Sequence, residues 1–427
     1  MEVYKEVIHE WIKQNRTVGV QLLQKLVQEA SVQGNEKLSQ AIVIEKCREL
    51  MLNIDIWEAG GDELLNHPSF VSPRKSFADS PNVVAVLKGC GGGKSIILNG
   101  HIDVVPEGDI NAWTYDPFSG KVLNGRLFGR GASDMKGGNV SLLLALEAII
   151  KSGIRLKGDV IFQSVIEEES GGAGTLATII RGYHADGAII PEPSNMKIFP
   201  LQQGSMWFRI LTKGKSAHGG TRYNGVSAIE KLYVVLEALK ELEQKRNNRI
   251  TNPLYHNIPI PIPINVGKVY GGSWPSSVPD EVTIEGRMGV APDESIEEAQ
   301  SEMENWLMNL KTIDPWFEQQ PLELEWFGAR WLPGSIEIKH ELLKTLEASY
   351  QSIKNCKPVI EASPWGTDAG LLTNIGNIPS IVFGPGTTEV AHYPDEYIEL
   401  NRMFEAAEII ALTVIEWCGI ESIERGE

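Results

Sequence analysis

Between residues 82 and 192, short β-rich runs alternate with longer apolar helical ones, and this alternation limits the fold more than any other feature of the chain. The runs NVVAVL (82–87), SIILNG (95–100), GDVIFQSVI (158–166) and DGAIIPE (186–192) are bounded by Gly, Pro and Asn and read as buried strands. GGNVSLLLALEAIIKSG and GGAGTLATIIRGY, which fall between them, carry apolar residues at helical spacing. Such alternation builds a sheet covered on both faces by helices, an α/β fold.

On either side the texture changes. Residues 18–52 read as two helices, VQLLQKLVQEA and SQAIVIEKCRELML, parted by a turn at GNE (34–36). From Leu201 the order is the strand-like MWFRILTKGKSAHGG, a helix over about 226–245, an extended IPIPIPI connector, strands through VTIEGRMGV and a helix through Met308. That order suggests an α+β module with its own sheet. After Trp331 the chain returns to helix and short strands, ending on SIVFGPG, a loop and a helix from Asn401. The expected organisation is an α/β domain, residues 1–204 and 333–427, interrupted by an inserted module at 205–332.

Composition narrows the function. With 39 Lys plus Arg against 56 Asp plus Glu, the formal charge is −17, a field that repels phosphate backbones and anionic headgroups. Neither nucleic acid nor a membrane is the expected partner. Cys47, Cys90, Cys356 and Cys418 form no C-x-x-C pair, which argues against a disulfide framework or a thiolate zinc site. The N-terminal MEVYKEVIHEWIKQNRT lacks the apolar core of a signal peptide, and no stretch has the roughly eighteen apolar residues of a membrane span. The expected location is the cytoplasm.

Five pieces carry candidate chemistry. His101 ends the strand SIILNG and Asp103 lies two residues on, so in extended geometry both project to one side. A histidine ligand commonly gives its second ring N–H to such a carboxylate; a lone H-x-D is more often a hydrogen-bonded histidine at a strand end. Asp134 sits in GRGASDMKGG before an apolar helix, where a single Asp is ordinarily a cap; Gly129, Gly131, Gly137 and Gly138 around it suggest close backbone approach. Glu167, Glu168 and Glu169 follow the strand VIFQSVI, and Glu192 follows DGAII. Adjacent carboxylates are usually a solvated cluster, but at strand C-termini of an α/β sheet they fall on the ligand-binding edge. His392 lies in EVAHYPDEYIEL before the last helix. Two histidines with several carboxylates suit zinc first, and also manganese or cobalt.

In order and spacing, GHIDVVP, GRGASDMKGG, EEESGGAGT, PEPS, SAHGG and AHYPDE resemble the acetylornithine deacetylase, succinyl-diaminopimelate desuccinylase and aminoacylase group of di-zinc hydrolases, relatives of glutamate carboxypeptidase. The resemblance covers nearly the whole chain. It implies a zinc-peptidase-like catalytic domain with a mixed sheet covered by helices, interrupted by an α+β lid and dimerisation domain. It also implies two zinc ions per chain, one held by His101, Asp134 and Glu192 and the other by Asp134, Glu169 and His392, with cobalt or manganese able to substitute. Asp103 would orient His101, and Glu168, registered on Gly171, would be the general base. His218 of SAHGG would support the oxyanion of a partner subunit's site in a homodimer.

Arg287 in TIEGRMGV is a candidate clamp for a substrate carboxylate, since guanidinium matches carboxylate in bidentate geometry. Gly384, Pro385 and Gly386 resemble the family's loop over the substrate's carboxyl end. Ser276 in GGSWPSSVP stands where many members have Asn, a departure at the lid position that would contact the oxyanion or substrate. The expected activity is deacylation of an N-acyl amino acid. The alternatives are a dipeptidase or carboxypeptidase, an N-formyl aminopyrimidine deformylase, or a binding protein that keeps the fold without the chemistry.

Overall fold

The computed structural model describes residues 2–421. The chain forms two compact units, one of Met1–Leu201, Gly334–Glu361 and Thr367–Glu427, the other of Gln202–Pro333 and Ala362–Gly366.

The first unit is built on a mixed sheet whose strand order is Asn53–Glu58, Pro81–Leu87, Val160–Val165, Ile96–His101, Ala188–Ile190, Ser380–Val382, Ile198–Gln202 and Gly334–Ser335. Its central members run parallel: Ile96–His101 pairs with both Val160–Val165 and Ala188–Ile190, and Ser380–Val382 pairs with Ala188–Ile190. Every residue of Ile96–His101 and Val160–Val165 is buried. Buried on both faces, such strands read as continuous apolar runs instead of alternating ones. The helix Gly137–Lys151 is buried nearly throughout and packs against Leu400–Cys418. A helix apolar all round belongs in an interior, which is why the run SLLLALEAII carries so little polar punctuation.

Three helices, not two, open the chain: Glu2–Gln14, Arg16–Gln28 and Lys37–Glu49. The first buries only Ile8 and Ile12, a stripe one turn apart on an otherwise charged surface, too narrow to stand out in the sequence. The expected turn between the next two is present, with Gly34 at φ +90°, where an L side chain is strained.

The second unit is a four-stranded antiparallel sheet ordered Ile264–Gly271, Glu281–Val290, Gly204–Lys213 and Glu323–Trp331, backed by helices Ala228–Asn247 and Ile296–Met308. Along Gly204–Lys213 burial alternates: Met206, Phe208 and Ile210 enter a core with Val235, Leu239, Met288 and Met303, while Trp207 and Arg209 lie on the other face. The second helix begins at a capping box in which Ser295 and Glu298 each accept the other's backbone N–H. Among the described residues no helix is long and apolar enough to cross a membrane.

Candidate metal centre

His101 closes its strand opposite Val165 of the neighbouring parallel strand. Glu168 and Glu169 lie in the turn after Val165, and Glu192 comes two residues after the strand Ala188–Ile190. Because these strands run parallel, their C-terminal ends open on one edge, the edge where ligands of such sheets bind. Asp134 is delivered by the glycine-rich turn before Gly137–Lys151, where its peptide to Met135 is cis, and His392 by the loop before the last helix.

The two carboxylate oxygens of Asp134 face different histidines: Oδ1 is 3.2 Å from His101 Nε2 and Oδ2 is 3.2 Å from His392 Nε2. Glu192 Oε1 lies 3.7 Å from His101 Nε2, and Glu169 Oε1 lies 3.3 Å from His392 Nε2. Glu168 Oε2 is 3.9 Å from His101 Nε2. The ligand atoms of His101, Asp134 and Glu169 all fall within 4.8 Å of one another, as do those of His101, Glu168 and Glu192. Five residues from strands, turns and a loop spread over some 290 positions of sequence thus meet in one place.

The donor set fits divalent cations. Imidazole nitrogens and carboxylate oxygens are the ligands zinc accepts, and a carboxylate with one oxygen toward each histidine is arranged to bridge two ions. Glu192 Oε1 is buried with no hydrogen-bond donor. An ionised oxygen left that way is costly unless a cation compensates it. The charges agree with this. Burial, and then Glu192, drive the Glu168 carboxyl well above the usual carboxylate range, and burial does the same to Glu192. Glu169 and then Asp134 push His392 up to about 12, against its burial. Burial alone would lower His101, but Glu192, Asp134, Asp103 and Glu168 together raise it well above its ordinary value. Without cations this cluster holds protons in their place.

Other residues fix these side chains. His101 Nδ1–H donates to the backbone carbonyl of Asp103 over 2.8 Å, whereas the Asp103 carboxylate is 3.6 Å away. That fixes the ring with Nε2 toward Asp134, where the neutral ring would offer its lone pair to a cation. The Asp103 carboxylate also accepts the backbone N–H groups of Glu168 (3.3 Å) and Glu169 (3.1 Å), pinning the glutamate turn beside the histidine. Asn139 Nδ2 donates to His101 O at 2.5 Å. Glu167 is engaged elsewhere, accepting from Arg74 Nε at 2.5 Å, Ser72 Oγ at 2.6 Å and Gln33 Nε2 at 2.9 Å. Of the three consecutive glutamates, only Glu168 and Glu169 turn toward the histidines.

The glycines flanking Asp134 meet the protein's own chain: a Cβ on Gly138 would stand 2.1 Å from Pro191 O, beside Glu192. Gly384 and Gly386 behave alike, since a Cβ on the first would stand 2.3 Å from Glu192 O and on the second 2.2 Å from Ser133 O. Their lack of side chains lets three backbone segments close around the centre.

His218, Ser276 and Arg287 belong to the second unit. His218 is exposed and pairs with Ser277 across a short two-stranded ladder, and Gly219 N donates to Ser276 O at 2.6 Å, so the two lid candidates are neighbours. His218 Nδ1 accepts from Gly220 N at 3.1 Å, which in the neutral ring leaves the proton on Nε2 as a donor. Arg287 is half-buried, its pKa lowered by that burial, and among the described residues its guanidinium makes no hydrogen bond or ion pair.

Sequence reasoning passes over two buried acids. Glu396 accepts from Arg130 Nη1 at 2.6 Å, and Asp368, raised to about 6 mainly by burial, accepts from Thr175 Oγ1 at 2.7 Å. Arg130, inside the glycine-rich GRGASD, is the available signal: a charge in so tight a turn needs a carboxylate.

The pattern of Peptidase family M20/M25/M40 matches residues 97–416, which contain all five converging residues and Glu168. The chain is 34% identical over 388 residues to the N-formyl-4-amino-5-aminomethyl-2-methylpyrimidine deformylase of Bacillus subtilis (strain 168), covering 86% of this chain and 89% of that protein. It is 29% identical over 356 residues to the acetylornithine deacetylase of Pectobacterium carotovorum subsp. carotovorum (strain PC1), covering 79% and 84%. Among solved structures it resembles the di-peptidase Dug1p of Saccharomyces cerevisiae, with a TM-score of 0.75 at 15% identity over 98% of this chain and 99% of the other, a likeness of fold. The chain belongs to peptidase family M20/M25/M40 and is a metal-dependent hydrolase of that family.

Proposed function

We propose that this protein hydrolyses a linear amide, taking a small acyl group from a primary amine, at two zinc ions for which cobalt or manganese can substitute. The observation that carries this reading is Asp134, with one oxygen on each histidine. His101, Asp134 and Glu192 would hold one ion; Asp134, Glu169 and His392 would hold the other. Two ions so placed, when bound, lower the pKa of a shared water and polarise the scissile carbonyl. Glu168 takes the proton of the attacking water on its carboxylate and returns it to the amine nitrogen as the C–N bond breaks. Buried beside His101, with Oε2 3.9 Å from its Nε2, it stands where a group that does both must be. Asp103 serves by fixing both His101 and the glutamate turn.

For the substrate, the first reading is an N-acyl amino acid, supported by the partnerless Arg287, a guanidinium suited to a free carboxylate. By the family resemblance, Gly384 and Gly386 would line the carboxyl end of the substrate. The second reading, an N-formylated aminomethylpyrimidine, is favoured by the higher identity to the Bacillus subtilis deformylase. A panel of N-formyl, N-acetyl and N-succinyl amino acids, dipeptides and the formylated pyrimidine, scored for free amine with metal-loaded protein, tests both. Failure to cleave any of them would leave a binding protein that keeps the fold. Arg287→Lys separates the readings, because Lys cannot reproduce the fork. On a carboxylate substrate it should cost about 10- to 100-fold in kcat/KM, the worth of a hydrogen bond to a charged group. Equal activity on the acid and its amide contradicts the clamp.

We also read His218 as an oxyanion donor to the partner in a homodimer, supported by its exposure and its Nε2–H. His218→Ala should then lose ~10²–10³ in turnover yet keep its metals. Mixed with Glu168→Ala under subunit exchange, it should regain activity, since a hybrid dimer has one intact site. A dead mixture in which hybrids are shown to form rules out the role in trans.

A further inference from the structure

The loop that carries His392 is tied at both ends to the segment that carries Asp134. At its start, Ser133 Oγ donates to Thr387 O over 3.0 Å and accepts from Thr387 N over 2.7 Å. At its end, Glu396 Oε1 accepts from Ser133 N at 2.8 Å and Asp134 N at 3.1 Å, while Oε2 takes Arg130 Nη1 at 2.6 Å. The Glu396 carbonyl accepts from Gly129 N at 2.8 Å, so the carboxylate and the backbone of one residue both grip the glycine-rich turn. Ser133 and Glu396 are 1% and 0% exposed.

The two histidines are held by different means. His101 is buried at the end of a central strand, its ring fixed by the Asp103 carbonyl and its own carbonyl by Asn139. The His392 side chain is half exposed, its backbone has φ +63°, and its ring is 3.2 Å from Asp134 and 3.3 Å from Glu169. A ligand on such a loop gains little from packing. Its place must come from polar ties, or else be fixed by the ion at a cost in ordering entropy.

We propose that Ser133 and Glu396 are positioning residues that hold the His392 loop onto Asp134, and so set the affinity of the ion shared by Asp134, Glu169 and His392. The ion at His101, Asp134 and Glu192, built on strand ends, depends on them far less. This inference rests on the two-ion reading above. Neither residue touches the substrate in it; both act through His392.

The test titrates metal-free protein with zinc and follows it calorimetrically, with no substrate present. Wild-type protein should bind two ions. Ser133→Ala removes both bonds to Thr387, and Glu396→Asp keeps the charge opposite Arg130 but shortens the reach to Ser133 and Asp134. Each should weaken one of the two sites by about 10- to 100-fold, the usual effect of losing a residue that orients a ligand, and leave the other within a few-fold of wild type. Ser133→Thr, which restores the hydroxyl, should recover the weakened site. Should Glu396→Asp lose its cooperative thermal transition, Ser133→Ala and its Thr counterpart decide alone. Equal weakening of both sites, or undiminished binding at both, overturns the proposal. A wild-type chain that takes up one ion would overturn the two-ion reading instead.

Discussion

Glu168→Ala should lose ~10²–10⁴-fold in turnover while still binding two ions per chain, the loss expected when a general base is removed. Its neighbours should behave differently, because the three consecutive glutamates have three surroundings. Glu169 Oε1 lies 3.3 Å from His392 Nε2, so Glu169→Ala should lose metal along with activity. Glu167 is bound by Arg74, Ser72 and Gln33, far from either role; Glu167→Ala removes one of the two carboxylates on Arg74, whose guanidinium keeps Glu36, and should act on stability, by about 1–3 kcal/mol. Metal content of the three variants, measured beside their kinetics, checks the assignment. A Glu167→Ala variant that is folded, metal-replete and inactive would show the base to be one position earlier.

Chelation should abolish turnover outright, and zinc, cobalt or manganese should restore it. Five converging side chains leave no neutral way to crowd three carboxylates around two imidazoles except by protons or cations. In the metal-free protein protons do this: Glu192 is raised by burial, and His392 is pushed up to about 12 by Glu169 and Asp134. A group raised in this way holds its proton at neutral pH and must release it when an ion binds. Metal uptake should therefore release protons, and affinity should fall as pH is lowered, because protons then compete better for the same atoms. Calorimetry in buffers of different ionisation enthalpy counts the protons. Uptake without proton release, or activity that survives complete chelation, would count against the centre.

How much of this can be read from the sequence depends on the range of the interaction. The parallel strands are legible because burial on both faces makes each a continuous apolar run, and with them comes the edge on which His101, Glu168, Glu169 and Glu192 lie. The outer strand Asn53–Glu58, whose residues are exposed or half-buried, carries no such run and escapes notice. So does the small sheet of Lys121–Leu123, Arg126–Phe128 and Tyr397–Glu399, whose strands have three residues each. His392 is found through a motif and not through any local pattern, since its loop has no periodicity. Glu396 is overlooked in the same motif because, next to Asp395 in an acidic run, it looks like surface; its partners Arg130 and Ser133 are more than 260 positions away. Asp103 is identifiable beside His101, but its double role follows from the turn after Val165 closing over it, which no spacing in H-x-D can express.

The reading proposed above has one chain hold two ions through Asp134. It is tested most directly by counting metal, by mass spectrometry, in protein whose specific activity is measured on the same sample. Activity should rise with loading and reach its maximum at about two ions per chain, and an Asp134→Ala protein should retain neither ion tightly. Full activity in protein carrying fewer than about one ion per chain would contradict the claim.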